Sequence, residues 1–264
     1  MTSRTFDVRA YASAPDDLRP ADLDLTALAD LPRPVLHTLA HVWSTERTLL
    51  DLMRDLLVTP THAEARVTAF LTTWAYEQYW IGQSLRAVLD AGGAAPEDLA
   101  DPPDTSFGRL RRAWDERARP TVDAIGTNLL GTDVVAAHMS VGWLSTAVMD
   151  LAYRRLGQLE PRLQDLTAAV GVVKARHLEF YADEAQARLE ASAGARRRAL
   201  RTVRRWTWPG VRYAGPTAVR PAVVHLLADP SARQGVHAVD RGVASLPGLA
   251  GAAPLRSALG QFLR

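Results

Sequence analysis

The stretch PRLQDLTAAVGVVKARHLEFYADEAQARLEA, residues 161–191, decides how this chain is read. Val170, Val173 and Phe180 recur at the spacing of one helix face, and Lys174 and His177, at i and i+3, interrupt that face. Pro161 opens the helix, because its missing N–H falls in a first turn whose N–H groups have no helical partner anyway. A polar group buried unpaired costs about 1–3 kcal/mol or more. Lys174 and His177 therefore need partners, and those partners have to come from other helices.

Working outward, the same periodicity returns three times. From Pro34, the residues Val35, Leu36, Leu39, Val42, Trp43, Leu49, Leu50, Met53 and Leu57 keep one face until Pro60, with Glu46 set among them. A second helix, capped by Thr61 and closed by Gly92 and Gly93, runs to about Asp90. Its stripe is Val67, Phe70, Leu71, Trp74, Ile81, Leu85 and Val88, with Gln78 breaking it. A Pro/Gly/Asp-rich loop at 92–104 precedes a shorter helix at about 106–130, interrupted at Pro120. A third long helix spans about 132–156; its uncharged run, 134–149, contains His138 and is shorter than the roughly 18 residues of a membrane span. Four long helices, with one longer connection between the second and third, outline an all-α, ferritin-like four-helix bundle. Residues 1–190 make up that bundle, with 1–30, rich in Asp and Pro, as an irregular lead-in.

At 264 residues, 47% hydrophobic and 23% charged, the chain has the composition of a globular protein able to bury about three quarters of its surface. The absence of cysteine excludes disulfides, thiolate metal sites and a cysteine nucleophile. The start, MTSRTFDVRAYASAP, has no apolar stretch of the secretory kind, so a cytoplasmic location is expected. Thirty-one basic and 29 acidic residues give +2, and every basic residue but Lys174 is Arg. The charge is segregated. Residues 191–264 hold twelve Arg and two Asp, a net of +10, leaving −8 for 1–190. This basic extension is cut into short helical pieces by Pro209, Pro216, Pro221, Pro230, Pro247 and Pro254. Arg197, Arg201 and Arg204 mark it as a face for an acidic partner. Nucleic acid is not expected, since no such fold motif occurs and the net charge is near zero. Phosphate-loop, dinucleotide, nucleophile-elbow and EF-hand patterns are absent. His37 and His41 are four apart but lack the H-E-x-x-H context of a zinc site.

The polar interruptions carry a resemblance. Trp74-Ala75-Tyr76-Glu77-Gln78-Tyr79-Trp80-Ile81-Gly82 resembles the W-T-A-E-E-x-x-H-G segment of acyl-carrier-protein desaturases. Lys174-Ala175-Arg176-His177 is similar to the D-E-x-R-H motif of the same di-iron family, and Thr45-Glu46 followed by Leu49 to its T-E-x-x-L. The resemblance covers about residues 30–190 and implies a ferritin-like bundle in which four carboxylates and two histidines hold two irons. Glu46 matches the first-helix ligand and His177 the fourth-helix histidine. Gln78 stands where a second-helix glutamate belongs, Ile81 where its histidine belongs, and Lys174 where the bridging glutamate belongs. The third-helix ligand falls near Val134, and no glutamate occurs between Glu116 and Glu160. Using Glu77 instead of Gln78 puts Trp80 three residues on, not a histidine.

Two ligands of six do not hold two irons, so a metal-free, cofactor-free state is expected. A carboxylate kept without its cations needs another positive charge, which predicts a contact from Lys174 to Glu46, relayed by Gln78 or His177. The leading functional expectation is binding of a small apolar or carrier-tethered molecule, with acyl carrier protein as the acidic partner. Gln78, Ile81, His138, Tyr76 and Trp143, with Tyr79 and Trp80 beside them, would line its pocket, an apolar cavity of about 300 Å³ or more. The alternatives are an enzyme, using Lys174, His177 and Glu46 as acid–base groups or an atypical di-iron site, and a structural homodimer without a cavity.

Overall fold

Asp7 caps a short first helix, α1 (Val8–Ser13), by accepting from the Ala10 N–H, and two 3-10 turns at Pro20–Asp22 and Leu25–Leu28 lead on from it. The computed structural model describes residues 5–57, 63–94 and 133–263, and for 50–57 and 212–213 the backbone alone. The long helices follow as α2 (Arg33–Leu57), α3 (Ala65–Ala91), α4 (Asp133–Leu159) and α5 (Gln164–Ala191), the last entered through a 3-10 turn at Pro161–Leu163. Glycine serves at the end of α3, where Gly93 takes φ +67°, a conformation other residues rarely adopt. Among the described residues the protein is an all-α helical bundle with no strand. The Pro60 stop, the Thr61 cap and the helix expected at 106–130 lie outside the described residues.

Side-chain pairings fix the directions. Glu46 meets Gln78 while Leu36 lies against Gly92, so α2 and α3 run antiparallel. Arg66 meets Glu184 while Gln78 meets Lys174, which makes α3 antiparallel to α5. Gly142 lies against Tyr181 while Gly157 lies against Thr167, so α4 is antiparallel to α5 as well. It follows that α3 and α4 are parallel, and residues 92–132 join the end of one to the far start of the other.

The lead-in is more than a tether. Phe6 and Tyr11 are buried, Phe6 edge-on to Phe180 with ring centres 5.5 Å apart and Tyr11 stacked on Phe70 at 5.2 Å. Burying these two aromatics between α3 and α5 repays the entropy of ordering the segment.

The basic extension is docked along its length. Ser192 caps α6 (Ala193–Arg204), whose buried stripe Ala195, Ala199 and Val203 packs on α4. Then come α7 (Val211–Ala214), α8 (Pro216–Leu227), α9 (Arg233–Ser245) and α10 (Pro254–Leu259). The break expected at Pro221 does not occur, and α8 runs through it. Proline there removes one helical hydrogen bond, which the burial of Val219, Ala222, Val223, Leu226 and Leu227 offsets. Trp208 is buried and donates Nε1–H to Nε2 of His41 at 3.0 Å. The apolar residues of bundle and extension form one continuous cluster. By length and composition α4 could cross a membrane, but 72% of that stretch is buried inside the protein.

Candidate functional site

Each long helix brings one polar side chain to a common buried point: Glu46 from α2, Gln78 from α3, Tyr153 from α4 and Lys174 from α5, none more than 1% exposed. Lys174 Nζ lies 2.9 Å from both oxygens of Glu46 and donates to Gln78 Oε1 at 2.7 Å. The Gln78 amide donates to Glu46 Oε2 at 2.5 Å, and the Tyr153 hydroxyl to Glu46 Oε1 at 2.9 Å. Both carboxylate oxygens are thus engaged and the ammonium is held by a carboxylate and an amide oxygen, which is the condition for a buried charge pair to persist. Burial, reinforced by the Glu46 charge, pushes Tyr153 well above its ordinary value and keeps it a donor. The expected Lys174 to Glu46 contact is present, and Gln78 is its relay. His177 is not.

His177 instead belongs to a second buried cluster, one turn along α5. Its Nε2 lies 2.7 Å from Glu77 Oε2, which also accepts from the Tyr11 hydroxyl at 2.5 Å. Glu77 Oε1 accepts from the Asp16 N–H at 2.9 Å and from Arg176 Nη2. Burial lowers His177 to about 4; the bond to Glu77 works the other way, and the Lys174 ammonium adds to the lowering. The ring is therefore neutral at pH 7, with Nε2 as the donor and Nδ1 buried without a partner. Burial alone would raise Glu77, but the bonds from His177, Tyr11 and the Asp16 N–H outweigh it and hold the carboxyl below its usual range.

Beside Lys174 lies a cavity of about 110 Å³. Its walls include Trp74 and Gln78 of α3, His138 of α4, Lys174 and Tyr181 of α5, and Thr202 of α6. This is well short of the 300 Å³ expected, because Leu71, Trp74 and Tyr181 fill the middle of the bundle. Several expected wall residues are elsewhere. Tyr76 and Tyr79 are 40% and 48% exposed. Tyr76 is two residues beyond Trp74, about 200° around the helix, so it faces away from the cavity. Ile81 is core, and Trp143 packs on α9, where a Cβ at Gly242 would come within 2.1 Å of its ring. His138 does line the cavity, lowered to about 4 by burial and then by Arg198.

His41 is half-buried beneath Trp208 and lowered to about 4 by desolvation, whereas His37 is exposed, so the two form no joint site. Arg197, Arg201 and Arg204 are exposed on α6. A surface depression of about 270 Å³ between α9 and α10 is lined by His237, Asp240, Arg241 and Arg256. Its carboxylate, Asp240, is taken up by the N–H groups of Leu255 and Arg256 and by the Arg256 guanidinium, a capping role for α10.

Glu77, Tyr11 and Tyr153 are the site residues that sequence reasoning missed. Tyr153 lies four residues after Met149 and three before Leu156 on the buried stripe of α4, a spacing that marks it only as core. Among the described residues no three His, Asp or Glu side chains converge. Glu46 is met by an ammonium, and Glu77 by an imidazole, a guanidinium and a phenol. This donor set does not fit the two irons that the resemblance implies. Compared with known proteins, the chain matches no protein family, no curated protein and no solved structure.

Proposed function

We propose that the chain is a ferritin-like, desaturase-related bundle in which the Lys174 ammonium stands in for iron, and that it binds a small, mostly apolar molecule without metal redox chemistry. The observation that carries the reading is Lys174 Nζ, held by Glu46 and Gln78 at the point where four helices meet and facing a cavity. The parallel pair α3 and α4, joined through 92–132, supports the ferritin-like part, since a bundle with one long crossover has that topology. A dry cavity of about 150 Å³ accepts benzene, so 110 Å³ suits a body smaller than that and favours a free small molecule over a long carrier-tethered chain.

Metal analysis of protein expressed with added iron tests the reading. Iron well below one per chain is expected, and about two per chain overturns it. Lys174→Glu provides a second check: it sets a carboxylate against Glu46 and is expected to lower stability whether or not iron is supplied. Rescue by iron would show that the ancestral site is still intact.

A second reading, an acid–base enzyme, rests on His177. A carboxylate on one ring nitrogen with the other nitrogen unpartnered is the arrangement that orients an imidazole base. It requires Nδ1 to be reachable. Peptide mapping after treatment of the folded protein with diethyl pyrocarbonate should then find His177 modified, and an unmodified His177 excludes this reading.

A further inference from the structure

The cavity reaches the surface at α6. Thr202, one of its wall residues, is exposed, and the inner walls are Leu71, Trp74 and Tyr181. The ammonium at the inner end, Lys174, is already neutralised by Glu46 and bonded to Gln78. An anionic head on a ligand would otherwise meet only hydroxyls and a neutral imidazole inside, from Ser145, Thr146, Tyr181 and His138, so its charge is better placed at the mouth.

The mouth is basic. Ala195, Ala199 and Val203 face α4, and Thr202 stands on the flank of that stripe. Arg198 precedes Thr202 by four residues and so shares its flank of α6, with Arg201 beside it, and Arg205 follows just past the end of the helix. Arg198 is close enough to His138, a wall residue on another helix, for its charge to act on that ring. Several arginines elsewhere, Arg66, Arg162, Arg176, Arg188 and Arg256 among them, each meet a carboxylate. Among the described residues no carboxylate meets Arg198, Arg201 or Arg205. Three guanidinium groups that no described carboxylate meets, near one small apolar opening, form a receptor for an anion.

We infer that the cavity binds a small apolar acid, with a short hydrocarbon body against Trp74, Val141 and Tyr181 and a carboxylate among Arg198, Arg201 and Arg205. This deepens the binding function proposed above and rests on it.

The test is calorimetric titration of the full chain with butyrate, hexanoate and benzoate, each against its alcohol: butanol, hexanol and benzyl alcohol. At least one acid should bind about tenfold or more tightly than its alcohol, the size of one charge-assisted contact. Arg198→Gln, on α6, with Arg205→Gln, just past its end, should remove the difference, and Val141→Phe, which fills the cavity, should abolish binding of acid and alcohol alike. Alcohols that bind as tightly as their acids, with Val141→Phe abolishing both, would overturn the acid inference and leave the cavity-binding function standing. An acid whose affinity Val141→Phe leaves untouched would be a surface anion, which also overturns it. Binding of none of the six would overturn this inference and the binding function together.

Discussion

At Lys174 a compact ammonium spans both oxygens of Glu46 at 2.9 Å and still reaches Gln78, in a chain that uses arginine at every other basic position. A guanidinium is planar and longer, so Lys174→Arg is not conservative here. Removing the ammonium leaves a fully buried carboxylate with only neutral donors. Lys174→Met is therefore expected to cost about 3–5 kcal/mol, and the double change Lys174→Met with Glu46→Gln far less than the sum of the single ones. Urea unfolding of the four proteins measures this, and additive effects would show that the pair is not coupled. Glu46, Gln78 and Lys174 were legible in the sequence because polar groups on apolar stripes stand out. Tyr153 was not, since a tyrosine fits a core stripe and its hydroxyl matters only once Glu46 faces it. Glu77 sits one residue, about 100°, from Gln78, and its partners come from Tyr11 and Asp16, whose docking no periodicity encodes.

The helices themselves were readable, with α2 to α5 beginning and ending within a few residues of their expected bounds, because apolar period is what buries a helix. What periodicity does not carry is how helices approach each other. Gly142 lets α4 come close to α5: a Cβ there would lie 2.5 Å from the Tyr181 ring, which is buried and has little room to yield. Gly142→Ala should thus destabilise by about 1–3 kcal/mol, even though alanine favours a helix by about 1 kcal/mol over glycine. A stabilised variant in thermal melts would show that the ring moves freely. The lead-in makes the same point from the other side. Tyr11→Phe keeps the stack on Phe70 but removes a hydrogen bond to a carboxylate, and should cost about 1.5–3 kcal/mol. If unfolding is unchanged, α1 is held by its aromatic packing alone.

Over the whole molecule, the +10 extension and the −8 remainder do not neutralise each other through α6. The extension is docked by its apolar stripe, by Trp208 on His41 and by Trp206 on Ser145, while Arg197, Arg201 and Arg204 face outward. Stability should accordingly depend more on pH through buried imidazoles than on salt through surface pairs. His41 under the extension, His138 at the cavity and His177 beside Glu77 are each lowered to about 4 from an ordinary 6.5. The native state therefore stays unprotonated at pH values where the unfolded chain takes up protons. That stability is fully present above about pH 6.5 and is lost as pH falls towards 4, by up to about 1.4 kcal/mol per pH unit for each ring. Asp150, raised by burial, opposes the trend, whereas His225, lowered by burial, adds to it. Thermal midpoints measured from pH 7 to pH 4.5 should fall steadily below 6.5. His41→Gln, which keeps an acceptor for Trp208, should flatten the slope by about a third. A midpoint independent of pH across that window would mean that these imidazoles already carry their protons in the native state, and the burial assigned to all three would have to be given up.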